Sequence, residues 1–141
     1  MRFMGLDVGT KTIGVAVSDP MGLTAQPVET IRRISAEADA AEVLRMASGR
    51  GVESIVVGMP VNMDGTEGTR AAATRRFMER LKEKTAVPVL AWDERLSTAA
   101  VTRVLIEGGI SRAKRKEAVD KLAASYILQG YLDSLRTPPG P

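Results

Sequence analysis

Cysteine and histidine are both missing from this chain. Without them there is no thiolate nucleophile, no imidazole base and none of the usual zinc ligands. Chemistry here has to use Asp, Glu, Lys, Ser, Thr or a bound cation, and carboxylates as the only ligands point to Mg2+ or Mn2+ rather than zinc. The lack of cysteine also fits a cytoplasmic protein. Aromatic residues are scarce at 4% (Phe3, Phe77, Trp92, Tyr126, Tyr131). This scarcity argues against a base-stacking platform, and backbone phosphate contacts would dominate any nucleic-acid binding. No stretch approaches the roughly 20 apolar residues of a membrane span. Asp7 and Lys11 interrupt the N-terminal apolar segment, so no signal peptide is expected and no membrane partner either.

What remains is an ordinary globular composition, 44% hydrophobic and 26% charged over 141 residues. That length fits one domain with a substantial core, here expected over 1–136, with the Pro-Pro-Gly-Pro end forming a disordered tail over 137–141. The net charge of +3 mildly favours anionic partners. Basic residues concentrate in two places: Arg70, Arg75, Arg76, Arg80, Lys82 and Lys84 on one expected helix, and Arg112, Lys114, Arg115 and Lys116 just ahead of the last. The denser second cluster is the better candidate for binding phosphates; the first has about even odds of merely solvating a helix face.

The most informative segment runs from Gly5 to Asp19. An apolar strand (Phe3, Met4, Leu6) carries one carboxylate, Asp7, turns at Gly9-Thr10-Lys11, and returns as a second strand through Ile13, Val15 and Val17. A carboxylate in such a strand costs several kcal/mol if buried alone, so it needs a cation or donors. The turn offers small residues, the Thr10 hydroxyl and Lys11, all suited to a phosphate oxygen. An Asp bonded to its own turn is the plain alternative, but it leaves Lys11 and Gly14 unexplained.

Further along, Ala25–Ile34 reads as an edge strand because of Pro27. Ser35 caps a helix to about Ser48, stopped by Gly49 and Gly51. The apolar run from Glu53 to Gly58 suits a buried parallel strand. A loop between Gly58 and Thr66 is long enough to move and cover a site. A helix from about Glu67 to Lys84 faces inward along Ala73, Phe77 and Leu81. Val87–Trp92 is the fifth strand, a helix from Ser97 to Glu107 follows, and the last helix runs from about Arg112 to Leu135. This order predicts an α/β fold: a mixed five-stranded sheet with helices on both faces.

Ligands in such sheets gather at strand C-terminal ends. Asp7 lies near one such end and Asp93-Glu94 at another, and alternation sends Asp93 and Glu94 to opposite faces. The longer arm of Glu94 gives it a modest preference. In the last helix Val119, Ala123, Tyr126 and Gly130 form the expected inward stripe, with Asp120 on its shoulder. Asp120 could instead pair with Lys116, and Glu94 with Arg95 or Lys11. Three carboxylates brought together repel unless a cation joins them, and a divalent ion can activate water against a phosphate. Arg95 is a candidate to hold a phosphate in fork fashion, with surface pairing its alternative.

Five stretches taken together resemble the bacterial YqgF family, pre-16S ribosomal RNA nucleases related to Holliday-junction resolvases. They are Gly5–Asp19, Val56-Val-Gly-Met-Pro60, Asn62-Met-Asp-Gly-Thr66, Trp92–Thr98 and Asp120–Gln129. They occur in the family's order and span essentially the whole chain. The resemblance implies a ribonuclease-H-like fold and a cytoplasmic nuclease acting in 5′-end maturation of 16S ribosomal RNA. It puts the catalytic, metal-holding positions at Asp7, Glu94 and Asp120. Precursor ribosomal RNA, branched DNA and ribosomal particles are the partners to consider. The related resolvases carry a glutamate on the middle strand and a further aspartate in the last helix. Here Val57-Gly58 and Ala123 stand instead, which argues against a complete two-metal site. Two other readings are a non-catalytic RNA-binding assembly factor on a nuclease scaffold and a resolvase acting on branched DNA.

Overall fold

The structure, a computed structural model, describes residues 1–95 and 112–136, with side chains of 112–121 left out of the description. Strand β1 (Phe3–Val8) turns through Gly9, whose N–H donates to the Thr12 carbonyl at 2.8 Å, into β2 (Thr12–Ser18). Asp7 stands opposite Gly14 in this antiparallel pair. Strand β3 (Ala25–Arg32) pairs with β2 at the sheet edge, where Pro27 needs no ladder partner. A register shift between Val15 and Ala16 bends the pair there. Helix α1 (Ala36–Gly49) begins at Ser35, whose hydroxyl accepts from the Ala38 N–H at 3.1 Å, the cap expected from the sequence.

Strand β4 (Ser54–Met59) is buried at every residue and lies parallel to β1 on one side and to β5 (Val89–Asp93) on the other. The sheet order is β3-β2-β1-β4-β5. Helix α2 (Thr69–Lys84) bridges β4 to β5, and α3 (Arg112–Arg136) closes the described chain. Alternation along the strands creates two unlike faces. Met4, Leu6, Ile13, Val15, Ile55 and Val57 pack against α1 and α2. Phe3, Ala16 and Val56 pack against Ala124, Ile127, Leu128 and Leu132 of α3. The expected α/β sandwich is therefore present. No helix among the described residues is long and apolar enough to cross a membrane.

Three local expectations need correction. Helix α2 starts at Thr69 rather than Glu67, because Glu67 turns back to bridge Val61. Its buried line is Ala71, Thr74, Phe77, Met78 and Leu81, with Ala73 exposed. The buried line of α3 is Ala124, Ile127, Leu128 and Leu132, while Ala123, Tyr126 and Gly130 are only half-buried. The cause is a glycine on β1. A Cβ on Gly5 would lie 2.7 Å from Leu128 Cβ and 2.9 Å from the Ala124 carbonyl, so the helix seats in the slot that Gly5 leaves. The helix expected over 97–107 and the tail over 137–141 lie outside the described residues.

Candidate active site

The α3 face of the sheet carries the ionisable groups. On β1, Phe3, Gly5 and Asp7 share one side. On β5, alternation puts Leu90 and Trp92 on that same side and leads to Glu94 just past the strand. The Glu94 N–H donates to the Met59 carbonyl at 3.2 Å, which ties it to the end of β4. Its side chain then arches over Gly58: a Cβ there would sit 3.4 Å from Glu94 Oε2 and 2.4 Å from Ile127 Cδ1. The missing side chain on β4 thus leaves room for a carboxylate arriving from β5.

Glu94 is half-buried, and its carboxyl is pushed above the ordinary carboxylate value, first by desolvation and then by the charge of Asp7. Arg70 pulls it partly back and Asp93 pushes it further up. Asp7 and Glu94 are therefore near neighbours although they come from opposite ends of the sheet's sequence order, β1 and the end of β5. Two carboxylates close enough for the charge of Asp7 to raise the proton affinity of Glu94, with only oxygen donors, form a donor set suited to a hard divalent cation. Among the described residues no group of three such ligands occurs. Asp120 lies in α3, one turn before Ala124, but its side chain falls outside the described residues. The same holds for Arg112, Lys114 and Arg115.

Asp93 faces another task. Arg95 donates to it through Nε at 2.9 Å and Nη2 at 2.6 Å, and the Arg95 N–H adds a bond of 3.0 Å. The Arg95 guanidinium holds the Asp93 carboxyl below its usual range. Arg95 Nη1 reaches the carbonyls of Asn62 and Met63 at 3.3 and 3.4 Å. Every guanidinium nitrogen of Arg95 is thus engaged within the chain. The expectation that it grips a phosphate gives way to its surface-pairing alternative, because Asp93 lies two residues away with matching fork geometry.

The segment between β4 and α2 is also more ordered than expected. Asn62 N–H donates to the Thr66 carbonyl at 2.8 Å, Gly65 N–H to the Asn62 carbonyl at 2.8 Å, and Thr66 Oγ1 to Asp64 at 2.6 Å. Held by its own bonds and by Arg95, it forms one wall of a cleft of about 290 Å³ lined by Pro60, Asn62, Thr69, Arg70 and Glu94. Thr10 and Lys11 are exposed on the β1–β2 turn. That turn is braced by Arg33, a residue the sequence did not single out. Arg33 Nη1 donates to the Gly9 carbonyl at 2.9 Å and Nε to the buried Asp39 at 3.0 Å, with the guanidinium 5.4 Å from the centre of the Phe77 ring.

Comparison with known proteins fits this architecture. The RuvX family, described as Holliday junction resolvase, matches residues 1–134. The chain belongs to this family. Two relatives, each carrying the name "Putative pre-16S rRNA nuclease", are close in sequence. That of Myxococcus xanthus is 56% identical over 98% of this chain and 91% of its own length. That of Symbiobacterium thermophilum is 60% identical over 95% of this chain and 93% of its own length. The resemblance read from the five motifs is borne out. The fold is shared with Thermus thermophilus RuvC, solved in complex with a Holliday junction substrate (TM-score 0.59, 18% identity, 96% of each chain). It is shared as well with the fowlpox virus Holliday junction resolvase (TM-score 0.55, 14% identity, 95% of this chain and 99% of the other). The ribonuclease-H-like sheet that the sequence resemblance implied is thus the fold observed.

Proposed function

We propose that this protein is a divalent-metal-dependent nuclease that hydrolyses phosphodiester bonds of structured RNA. Its role is 5′-end maturation of pre-16S ribosomal RNA in the cytoplasm. The observation that carries this reading is the approach of Asp7 and Glu94 on the α3 face, beside a cleft open to solvent. Asp120, on the helix that covers that face, is assigned as the third carboxylate. These three residues would hold Mg2+ or Mn2+, which supplies charge neutralisation at the phosphate and eases ionisation of water. With no thiol or imidazole in the chain, water is the nucleophile. Asp7 and Glu94 orient the reacting groups from two strands fixed by the sheet, and the segment braced by Arg95 walls the cleft. Thr10 and Lys11 meet phosphates from the β1–β2 turn, and Arg112, Lys114 and Arg115 extend the contact along the RNA.

The test is incubation of purified protein with precursor ribosomal RNA and Mg2+ or Mn2+, beside Asp7→Asn prepared identically to control for contaminating nucleases. Cleavage should fall by about a thousandfold or more in the variant, the scale of losing a group from a catalytic unit. The variant should keep its fold and RNA binding. Equal cleavage by both proteins would sink the reading. The family's description favours branched DNA as a second substrate, so a four-way junction belongs in the same assay. Preferential cutting of the junction would transfer the assignment to DNA.

A further inference from the structure

Helix α2 is studded with cations, and most of them are matched. Arg75 pairs with Glu67, Arg80 and Lys84 with Glu37, and Lys82 with Glu79. The even odds given to this basic face therefore resolve, for these four, toward a lattice of surface ion pairs. Arg70 differs. Among the described residues its guanidinium forms no ion pair and no hydrogen bond, although it is exposed at the mouth of the cleft it shares with Glu94. It also stands in the first turn of α2, a turn without any acidic residue. A cation there opposes the helix macrodipole and is locally unfavourable. A locally unfavourable choice beside a cleft is the signature of a functional constraint. Attraction to Glu94 does not account for it, because the fork donors stay unmatched at hydrogen-bonding distance. The role vacated by Arg95 has a second claimant on the cleft wall, with its donors open.

Resting on the nuclease reading above, we infer that Arg70 is a substrate-binding residue that grips a backbone phosphate of the nucleic acid in the cleft beside Glu94. The planar guanidinium can take two phosphate oxygens at once, and an anion there would also relieve the misplaced charge at the head of α2. Such a contact holds the strand in register and carries no base preference.

The test uses the full chain. Binding of a labelled RNA stem-loop is followed by fluorescence anisotropy over a range of KCl concentrations, in an Asp7→Asn background that keeps the RNA intact. Arg70→Gln should weaken binding about tenfold and lower the slope of log affinity against log salt by about 0.7–0.9, the mark of one lost phosphate contact. Arg70→Lys should keep the slope and lose part of the affinity, since it retains charge without the fork. Arg50→Gln, another exposed cation but near the N-terminal ends of β1 and β4, should change neither. In the otherwise unaltered protein, Arg70→Gln should raise KM about tenfold and leave kcat within about twofold. Unchanged affinity and slope in Arg70→Gln would overturn the inference while leaving the nuclease reading intact, and so would an equal loss in Arg50→Gln. Weakened binding by Arg70→Gln in a protein that cleaves nothing would uphold the phosphate grip and remove the nuclease reading. If Arg70→Gln melts early, Arg70→Lys decides: a preserved slope upholds the grip, and a slope reduced like that of Gln overturns it.

Discussion

Against α1 and α2 the sheet presents Met4, Leu6, Ile13, Val15, Ile55 and Val57, none more than 2% exposed. Against α3 it presents Phe3, Ala16 and Val56 with glycines at positions 5 and 58, and ends in Asp7 and Glu94. The first face is filled by bulky apolar side chains that pack against two helices. The second is nearly flat, so one helix lies almost on the backbone and leaves space at the strand ends. Stability is concentrated on one side of the same five strands, and the candidate chemistry on the other.

Three substitutions would break or sharpen this contrast. Leu81→Ala opens a cavity under α2, where Leu81 is fully buried. It should cost about 2–5 kcal/mol in urea denaturation while leaving cleavage per folded molecule unchanged. A selective loss of cleavage would blur the division between the faces. Gly5→Ala presses a methyl against Leu128 Cβ and the Ala124 carbonyl, neither of which can swing aside. About 1–3 kcal/mol is expected, and here cleavage should drop as well, since α3 must rise from the sheet. A cost no larger than that of a surface change would mean that the helix is not seated as tightly as the geometry implies.

Glu94→Gln should have the smallest effect on stability and the opposite sign. The Glu94 carboxyl is raised above its ordinary value of 4.5, so its favourable contribution is complete below 4.5 and fades as pH climbs through the raised folded value. Measured in EDTA, the glutamine variant should match wild type under acid conditions and become the more stable of the two toward neutrality, while losing cleavage. A variant less stable at neutral pH would show that the carboxylate is favourably housed, and the trade between stability and function would not apply to this residue.

Much of this was readable in the chain because the signals are local. The Ser35 cap, the edge position of β3 marked by Pro27 and the all-apolar run of β4 each follow from a few adjacent residues. Asp7 stood out as a lone carboxylate in an apolar strand. What escaped depends on partners distant in sequence. The rotation of α3 is set by Gly5, more than 100 residues earlier, and no helical periodicity within α3 reveals it. The full engagement of Arg95 depends on the Asn62 and Met63 carbonyls, more than 30 residues earlier in the chain. Arg33 lacked any motif, since its carbonyl, carboxylate and aromatic partners come from three separate elements.

That arginine has one more implication. Its guanidinium ties the Gly9 carbonyl to Asp39 of α1 and covers Phe77 of α2. The turn displaying Thr10 and Lys11 therefore draws its rigidity from the layer behind the sheet. Damage at Asp39, on the opposite face of the sheet from the carboxylates assigned to chemistry, would reach that turn through a single side chain acting as a strut.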